Sequence, residues 1–138
     1  GLMHCSAYGA SKFAVEGLSL AVAEEVGKFG IKVTVVEPGF FRTDLLDAAN
    51  VEWPRQRIDD YAAAEVSAQE MWSPYAGKQP GDPDKLGQVL VQLAGMDSPP
   101  RMFVAGSDAL AAVAPAVEAR LKAVHAFEEL SKSTDGSF

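Results

Sequence analysis

Between Tyr8 and Phe29 apolar side chains recur at Phe13, Val15, Leu18, Ala21, Val22 and Val26, in a mixture of three- and four-residue steps. That spacing predicts a helix over 8–29 with one buried face. Gly30 is its stop, because glycine takes the left-handed conformation at little cost, and Lys28 suits the negative end of the helix dipole. Ile31-Lys32-Val33-Thr34-Val35-Val36 follows, short and rich in β-branched residues. It reads as a largely buried strand, ended by Pro38-Gly39.

The pattern is weakest from Phe40 to Pro80, where Trp53, Tyr61, Trp72 and Tyr75 stand among polar residues. One helix is expected there, over 58–71, and the aromatics either line a pocket or cover the core. Pro80-Gly81-Asp82-Pro83 is a break, with Asp82 as a candidate N-cap and Pro83 at the first helical position. A helix then runs to about Gly95. Asp97-Ser98-Pro99-Pro100 is a turn, Met102-Phe103-Val104-Ala105 a second short strand, and Gly106-Ser107-Asp108 the start of a last helix over 109–130. Ser107 or Asp108 is its expected cap, Pro115 a possible kink, and 131–138 reads as a frayed polar tail.

Two short strands joined through a helix form a parallel crossover unit, which belongs in a sheet covered on both faces. Two strands alone are marginal in water. The pattern therefore holds only part of the sheet that would organise it.

Composition narrows the class. With 138 residues, 48% hydrophobic and 22% charged, the chain has the make-up of a globular domain, from which a sizeable core is expected. A net charge of −7 makes nucleic acid and anionic membrane poor partners. No apolar run approaches a membrane span, and the first fifteen residues carry no basic cluster followed by an apolar block, although the chain begins at Gly1 without Met. Cys5 is the single cysteine, which excludes an intrachain disulfide framework and any multi-cysteine zinc site and suits a reducing cytoplasm. His4 and His125 lack the spacing of a metal site and read as surface or cap residues. Cys5 reads as a small structural residue.

The chemistry concentrates near the start. Tyr8 and Lys12 stand four apart, so on a helix they project from one face about one turn apart. A free phenol is a poor acid–base group at neutral pH, and a nearby ammonium favours its ionised form. The bare spacing fits either such a pair or an ordinary amphipathic surface pair.

The surrounding residues extend the pattern. Tyr8-Gly9-Ala10-Ser11-Lys12-Phe13-Ala14-Val15-Glu16-Gly17-Leu18 resembles the active-site helix of the short-chain dehydrogenase/reductase family, whose YxxxK motif is usually set in Y-x-A-S-K-x-A. Ile31 to Thr43, with Glu37-Pro38-Gly39-Phe40-Phe41-Arg42-Thr43, looks like that family's next strand and its PG-x-x-x-T segment, and 80–134 is similar to its C-terminal helix, strand and tail. The resemblance implies an α/β fold, the C-terminal part of a Rossmann-type doubly wound parallel sheet, with the N-terminal nucleotide-binding half missing. Residues 1–138 would be a partial domain: 8–29 the active-site helix, 31–43 the strand and Pro-Gly loop, 44–80 a substrate-lid insertion, 82–130 a helix-strand-helix unit and 131–138 the tail.

By the same resemblance Tyr8 would be the catalytic acid–base residue, giving its proton to a carbonyl oxygen during reduction. Lys12 would favour the ionised Tyr8 and hydrogen-bond the nicotinamide ribose of NAD(P)(H). Pro38 and Gly39 would shape a turn against the nicotinamide, and Thr43 would bond the cofactor's carboxamide or phosphate end. Without the resemblance Pro38-Gly39 is a plain strand-ending turn and Thr43 a helix cap with Asp44. The substrate would be a small alcohol or carbonyl compound, and the helix of Tyr8 and Lys12 would pair with its counterpart in a homo-oligomer.

Departures accompany the match. The family's catalytic serine lies about thirteen residues before its tyrosine, and this chain has seven there. Ser6 is no substitute by motif and reads as a cap. The Gly-rich phosphate loop and the asparagine of the catalytic tetrad have no counterpart either. The expectation is an oxidoreductase chain inactive alone, the alternative a non-catalytic remnant acting as an interaction module. Phe40-Phe41 and Met71-Trp72 are open between a substrate wall and core or lid packing.

Overall fold

The computed structural model describes residues 1–53, 58, 60 and 66–136. In chain order it contains α1 (Ser6–Val26), β1 (Val35–Pro38), α2 (Ala68–Trp72), α3 (Pro83–Ala94), β2 (Met102–Ala105), α4 (Ser107–Ala126) and α5 (Glu128–Lys132). Short 3₁₀ turns at Gly27–Phe29, Asp44–Leu46 and Ser73–Tyr75 join them.

α1 begins two residues earlier than the periodicity predicts and tightens into its 3₁₀ turn after Val26. Gly30, at φ 76°, closes it in the left-handed region as expected. The N-cap is Cys5 without a side-chain cap bond, so Ser6 is the first helical residue and has no capping role.

β1 and β2 pair in parallel, Val35 opposite Met102 through Pro38 opposite Ala105. The strand expected over 31–36 is displaced toward its C-terminal end, and its partner explains why. Residues 31–34 lie beside the turn containing Pro99 and Pro100, which have no N–H to give. The backbone ladder starts only at Val35, whose N–H donates to the Arg101 carbonyl at 2.8 Å, while Thr34 bonds the Pro100 carbonyl through its side chain. The N–H groups of Val35 and Gly39 both point at β2, so the N–H that Pro38 lacks falls on the other edge and costs no ladder bond.

In the middle of the chain the helix expected over 58–71 is not formed at Ile58, and 59 and 61–65 lie outside the described residues. The helix present is the five-residue α2. It starts at a capping box, with Ser67 Oγ accepting from the Glu70 N–H at 3.2 Å and the Glu70 carboxylate accepting from the Ser67 N–H at 2.9 Å. α3 has the expected cap, Asp82 Oδ1 accepting from the Asp84 N–H at 2.9 Å, with Pro83 as first residue.

α4 departs from expectation at both ends. Its N-cap is Gly106, at φ 104°, and neither Ser107 nor Asp108 caps it. It runs through Pro115, ends at Ala126, and gives way at Phe127 to α5, so Ser131 and Lys132 are helical where a frayed tail is expected. The Lys132 ammonium holds the Glu128 carboxylate at 2.8 Å, one turn back. Residues 137 and 138 lie outside the described ones.

The sizeable core does not materialise. Among the described residues the buried hydrophobics are Ala23, Leu93, Ala105 and Ala109, with no large side chain fully buried. Accessible surface totals 11107 Å², against about 6,900 Å² for a compact monomer of this mass. Phe13, Val15 and Leu18 on α1 and Val117, Leu121 and Val124 on α4 remain more than half exposed. The apolar residues are present, but the described elements leave much of their apolar surface uncovered. No helix among the described residues is long and apolar enough to cross a membrane.

Candidate active site

Helical geometry places Tyr8, Lys12, Ser19, Ala23 and Val26 on one stripe of α1. Toward the C-terminal end that stripe is covered, with Ala23 at 9% exposure; toward the N-terminal end it is open, with Tyr8 at 52%. Lys12 reaches back over Tyr8, its ammonium 5.3 Å from the ring centre. Ser11 Oγ donates to the Tyr8 carbonyl at 2.7 Å and fixes its own side chain to the helix backbone. Among the described residues neither Tyr8 nor Lys12 enters an ion pair. A phenol and an ammonium thus stand side by side on an open face.

Pro38 and Gly39 leave β1 at its C-terminal end, where ligands of parallel α/β sheets usually bind. Two bonds hold the turn, one from β2 and one from α4: Gly39 N–H donates to the Ala105 carbonyl at 2.8 Å, and Phe40 N–H donates to Asp108 Oδ2 at 2.7 Å. Beyond it the chain is closed by Phe41 bridging Gly81, with Arg42 N–H donating to the Gly81 carbonyl at 2.9 Å. Thr43 Oγ1 accepts from the Leu45 N–H at 3.4 Å and so caps the 3₁₀ turn Asp44–Leu46. That cap uses only a lone pair, and the hydroxyl proton stays available as a donor.

Phe40, Trp72 and Tyr75 gather beside this turn, their ring centres 5.9–6.0 Å apart in each pairing. Trp72 Nε1 donates to the Met3 carbonyl at 3.3 Å, tying α2 to the residues just before α1. Phe40 and Tyr75 stay partly exposed, at 38% and 50%. Phe41 instead lies against Gly81, so the two phenylalanines part company.

Glu37 precedes the turn. Burial raises its carboxyl above the usual carboxylate range, and Glu16 on α1 adds to the rise. The helix starts behind the strands are themselves acidic: Asp82 caps α3, and Asp108 lies in the first turn of α4. Asp82 occupies the first N–H groups of α3, and the Asp108 carboxylate, though it makes no cap bond, places a negative charge at the start of α4; both disfavour a phosphate there.

The structure brings Tyr8 to Lys12 and Pro38-Gly39 to β2 and α4, and it gives Thr43 a cap position. Sequence reasoning missed Asp108 as a neighbour of the Pro-Gly turn. The contact spans 68 residues, and a local rule assigns an acidic residue at a helix start to that helix. It also missed that Glu16, on the adjoining α1, adds to the rise of the Glu37 carboxyl. Among the described residues no group of three or more His, Cys, Asp or Glu is arranged to hold a metal ion.

The family model described as short chain dehydrogenase matches residues 1–53. The chain is 32% identical over 126 residues to an oxidoreductase, BOA17, of Botryotinia fuckeliana, covering 91% of this chain and 45% of that protein. It is 35% identical over 100 residues to a 3-ketodihydrosphingosine reductase of Bacteroides thetaiotaomicron, covering 72% of this chain and 37% of that protein. Among solved structures it matches a short-chain dehydrogenase from Streptomyces avermitilis with a TM-score of 0.78 and 29% identity, over 99% of this chain and 48% of that one. The chain therefore spans less than half the length of each of these relatives, and its two parallel strands with their helices are part of a Rossmann-type sheet.

Proposed function

We propose that this chain, which belongs to the short-chain dehydrogenase/reductase family, carries the proton-transfer and nicotinamide-binding part of an NAD(P)(H)-dependent oxidoreductase acting on an alcohol or carbonyl group. The observation that carries the reading is the Tyr8–Lys12 pair, phenol and ammonium side by side at the exposed N-terminal end of α1.

When bound, the dinucleotide supplies or accepts the hydride. Tyr8 Oη gives its proton to the carbonyl oxygen during reduction and takes it from the alcohol during oxidation. Lys12 favours the ionised phenol and donates to the ribose hydroxyls. Pro38 and Gly39 shape the turn against the nicotinamide, and Thr43 offers its hydroxyl proton to the carboxamide or phosphate end while its lone pair caps Leu45. The segment 44–80, with Trp72 and Tyr75 against Phe40, serves as a lid over the substrate.

The residues fit only the nicotinamide end of such a cofactor. With Asp82 and Asp108 at the starts of α3 and α4, a pyrophosphate meets carboxylates at both, so the chain alone binds dinucleotide weakly and does not turn over. The exposed apolar flank of α1 formed by Val15 and Leu18 supports pairing with a second copy. A cytoplasmic setting belongs to the same proposal and rests on the lone Cys5.

The test is alcohol oxidation and carbonyl reduction by the complete gene product and its Tyr8→Phe variant. Turnover lost in the variant, with cofactor affinity kept, is the expected result. Undiminished turnover in the variant removes Tyr8 from the chemistry, and a gene product inactive on every such substrate favours the interaction module.

A further inference from the structure

We propose that Asp108 is a positioning residue, its carboxylate setting where the Pro38–Gly39 turn lies; this rests on the reading of that turn as the bed of the nicotinamide. Asp108 sits in the first turn of α4, yet forms no cap bond to its own helix. Its Oδ2 instead accepts the Phe40 N–H at 2.7 Å, across 68 residues of sequence. The carboxylate lies in a slot between two glycines. A Cβ added at Gly39 would fall 2.5 Å from Oδ2 and 2.6 Å from Cγ, and one added at Gly106 would fall 2.6 Å from Oδ1. All three distances are well inside van der Waals contact, so the carboxylate can occupy this place only because 39 and 106 are both glycine. Gly106 is held to glycine twice over, since its φ of 104° strains any other residue.

The interlock has a direction. Gly39 is already tied to Ala105 at the end of the ladder, which fixes the height of the turn along the sheet. The bond from Phe40 to Asp108 is the next one out, between the end of the ladder and the Phe41–Gly81 bridge, where the Phe40 carbonyl accepts the Gly81 N–H at 2.9 Å, and it is the bond made by the N–H of the Gly39–Phe40 peptide itself. It therefore governs the tilt of the Gly39–Phe40 peptide, the surface a nicotinamide would rest on. Phe40 also carries one ring of the aromatic trio, so the same bond aligns the turn with the Trp72 and Tyr75 rings. Removing it leaves the strands, α1 and the Tyr8–Lys12 pair in place, because none of them is bonded to the Asp108 carboxylate.

The experiment is an NMR titration of the 138-residue chain with reduced nicotinamide mononucleotide, which lacks the adenylate half that this chain does not fit. Wild type, Asp108→Asn, Asp108→Ala, Gly39→Ala and the double variant Gly39→Ala/Asp108→Ala are compared, with circular dichroism as the check on folding. In wild type the Gly39 and Phe40 amides should respond with a millimolar constant. Asp108→Ala should weaken it about tenfold and speed amide exchange at Phe40, and Asp108→Asn, which keeps an acceptor oxygen, should recover most of both. Gly39→Ala should weaken binding as much as Asp108→Ala, and the double variant should be no worse than Asp108→Ala, because the added methyl then meets no carboxylate. A folded Asp108→Ala chain that binds like wild type overturns this inference alone, and strict additivity of the two substitutions overturns the interlock. If Asp108→Ala does not fold, Gly39→Ala and Asp108→Asn decide: wild-type binding by Gly39→Ala overturns the proposal. No response in wild type overturns the nicotinamide reading of the turn and this inference with it.

Discussion

The Lys12 ammonium lies 5.3 Å from the centre of the Tyr8 ring, one helical turn further along α1. At an exposed site such a contact contributes about 0.5–1 kcal/mol, so the pair has little to do with holding the fold together. Its chemistry can be removed while the structure stays. Lys12→Met in the complete gene product should lower kcat by about 10²- to 10⁴-fold and raise the KM for the cofactor, while the melting temperature moves by no more than about 2 °C. Steady-state kinetics and calorimetry on the same preparation check both halves.

Binding of the whole dinucleotide by the 138-residue chain should be weak, because the residues at the starts of α3 and α4 are Asp82 and Asp108. A carboxylate already at the positive end of a helix repels the phosphate that would otherwise settle there. Titration of NADH or NADPH fluorescence should give no saturation below the millimolar range. Micromolar affinity would mean that a phosphate cradle exists elsewhere in the chain.

These two predictions differ in how much of their basis is legible in the sequence. The helix carrying Tyr8 and Lys12, the glycine that ends it, the Asp82-Pro83 start of α3 and the span of β2 follow from local rules, and the structure has them where those rules place them. Non-local features behave otherwise. The start of β1 depends on Pro99 and Pro100 in the turn opposite, and Asp108 leaves the cap of α4 because a backbone N–H 68 residues earlier needs a partner. The core is smaller than composition suggests for a related reason: composition counts Leu18, Leu121 and Val124 as apolar without saying whether any element lies over them. The Ser67–Glu70 capping box has the local S-x-x-E spacing of a helix start, which the helix expected over 58–71 runs across.

Glu37 should make stability depend on pH in the direction opposite to an ion-paired carboxylate. Burial first, and Glu16 second, raise its carboxyl above the ordinary range, so the folded chain holds this proton more tightly than the unfolded chain does. Its favourable contribution is complete below the unfolded carboxylate value, about 4.3, and is lost as pH rises through the higher folded value. At pH 7 the ionised group therefore works against the fold. Glu37→Gln should raise the melting temperature there by about 1–2 °C, Glu16→Gln should do so less, and neither should matter below about pH 4. Thermal unfolding at the two pH values reads this directly, and an equal shift at both would show that titration is not the cause.

Association through α1 should respond to charge on its apolar flank. Val15 and Leu18 stand three residues apart and are 57% and 65% exposed. Leu18→Glu should lower the mass measured by light scattering to that of one chain, whereas Leu130→Glu, on an equally exposed residue of α5, should not. Identical masses for wild type and Leu18→Glu would place any interface elsewhere.

Thr43 allows its two assignments to be separated by side-chain chemistry. Its Oγ1 caps the Asp44–Leu46 turn by accepting the Leu45 N–H, and at 3.4 Å this is a long bond. Losing a cap typically costs about 1 kcal/mol, and a bond of this length at a three-residue turn should come in below that. Thr43→Ala removes acceptor and donor together, Thr43→Ser keeps both, and Thr43→Asp keeps a cap acceptor but has no proton to donate at neutral pH. If the residue only caps, Asp and Ser should both preserve the melting temperature and the cofactor KM. If its hydroxyl also donates to the cofactor, Thr43→Asp should keep the melting temperature and raise the cofactor KM about tenfold or more in the complete gene product, the carboxylate adding repulsion to the lost bond. The second pattern is the one expected, because the cap engages a lone pair and leaves the proton of Thr43 free.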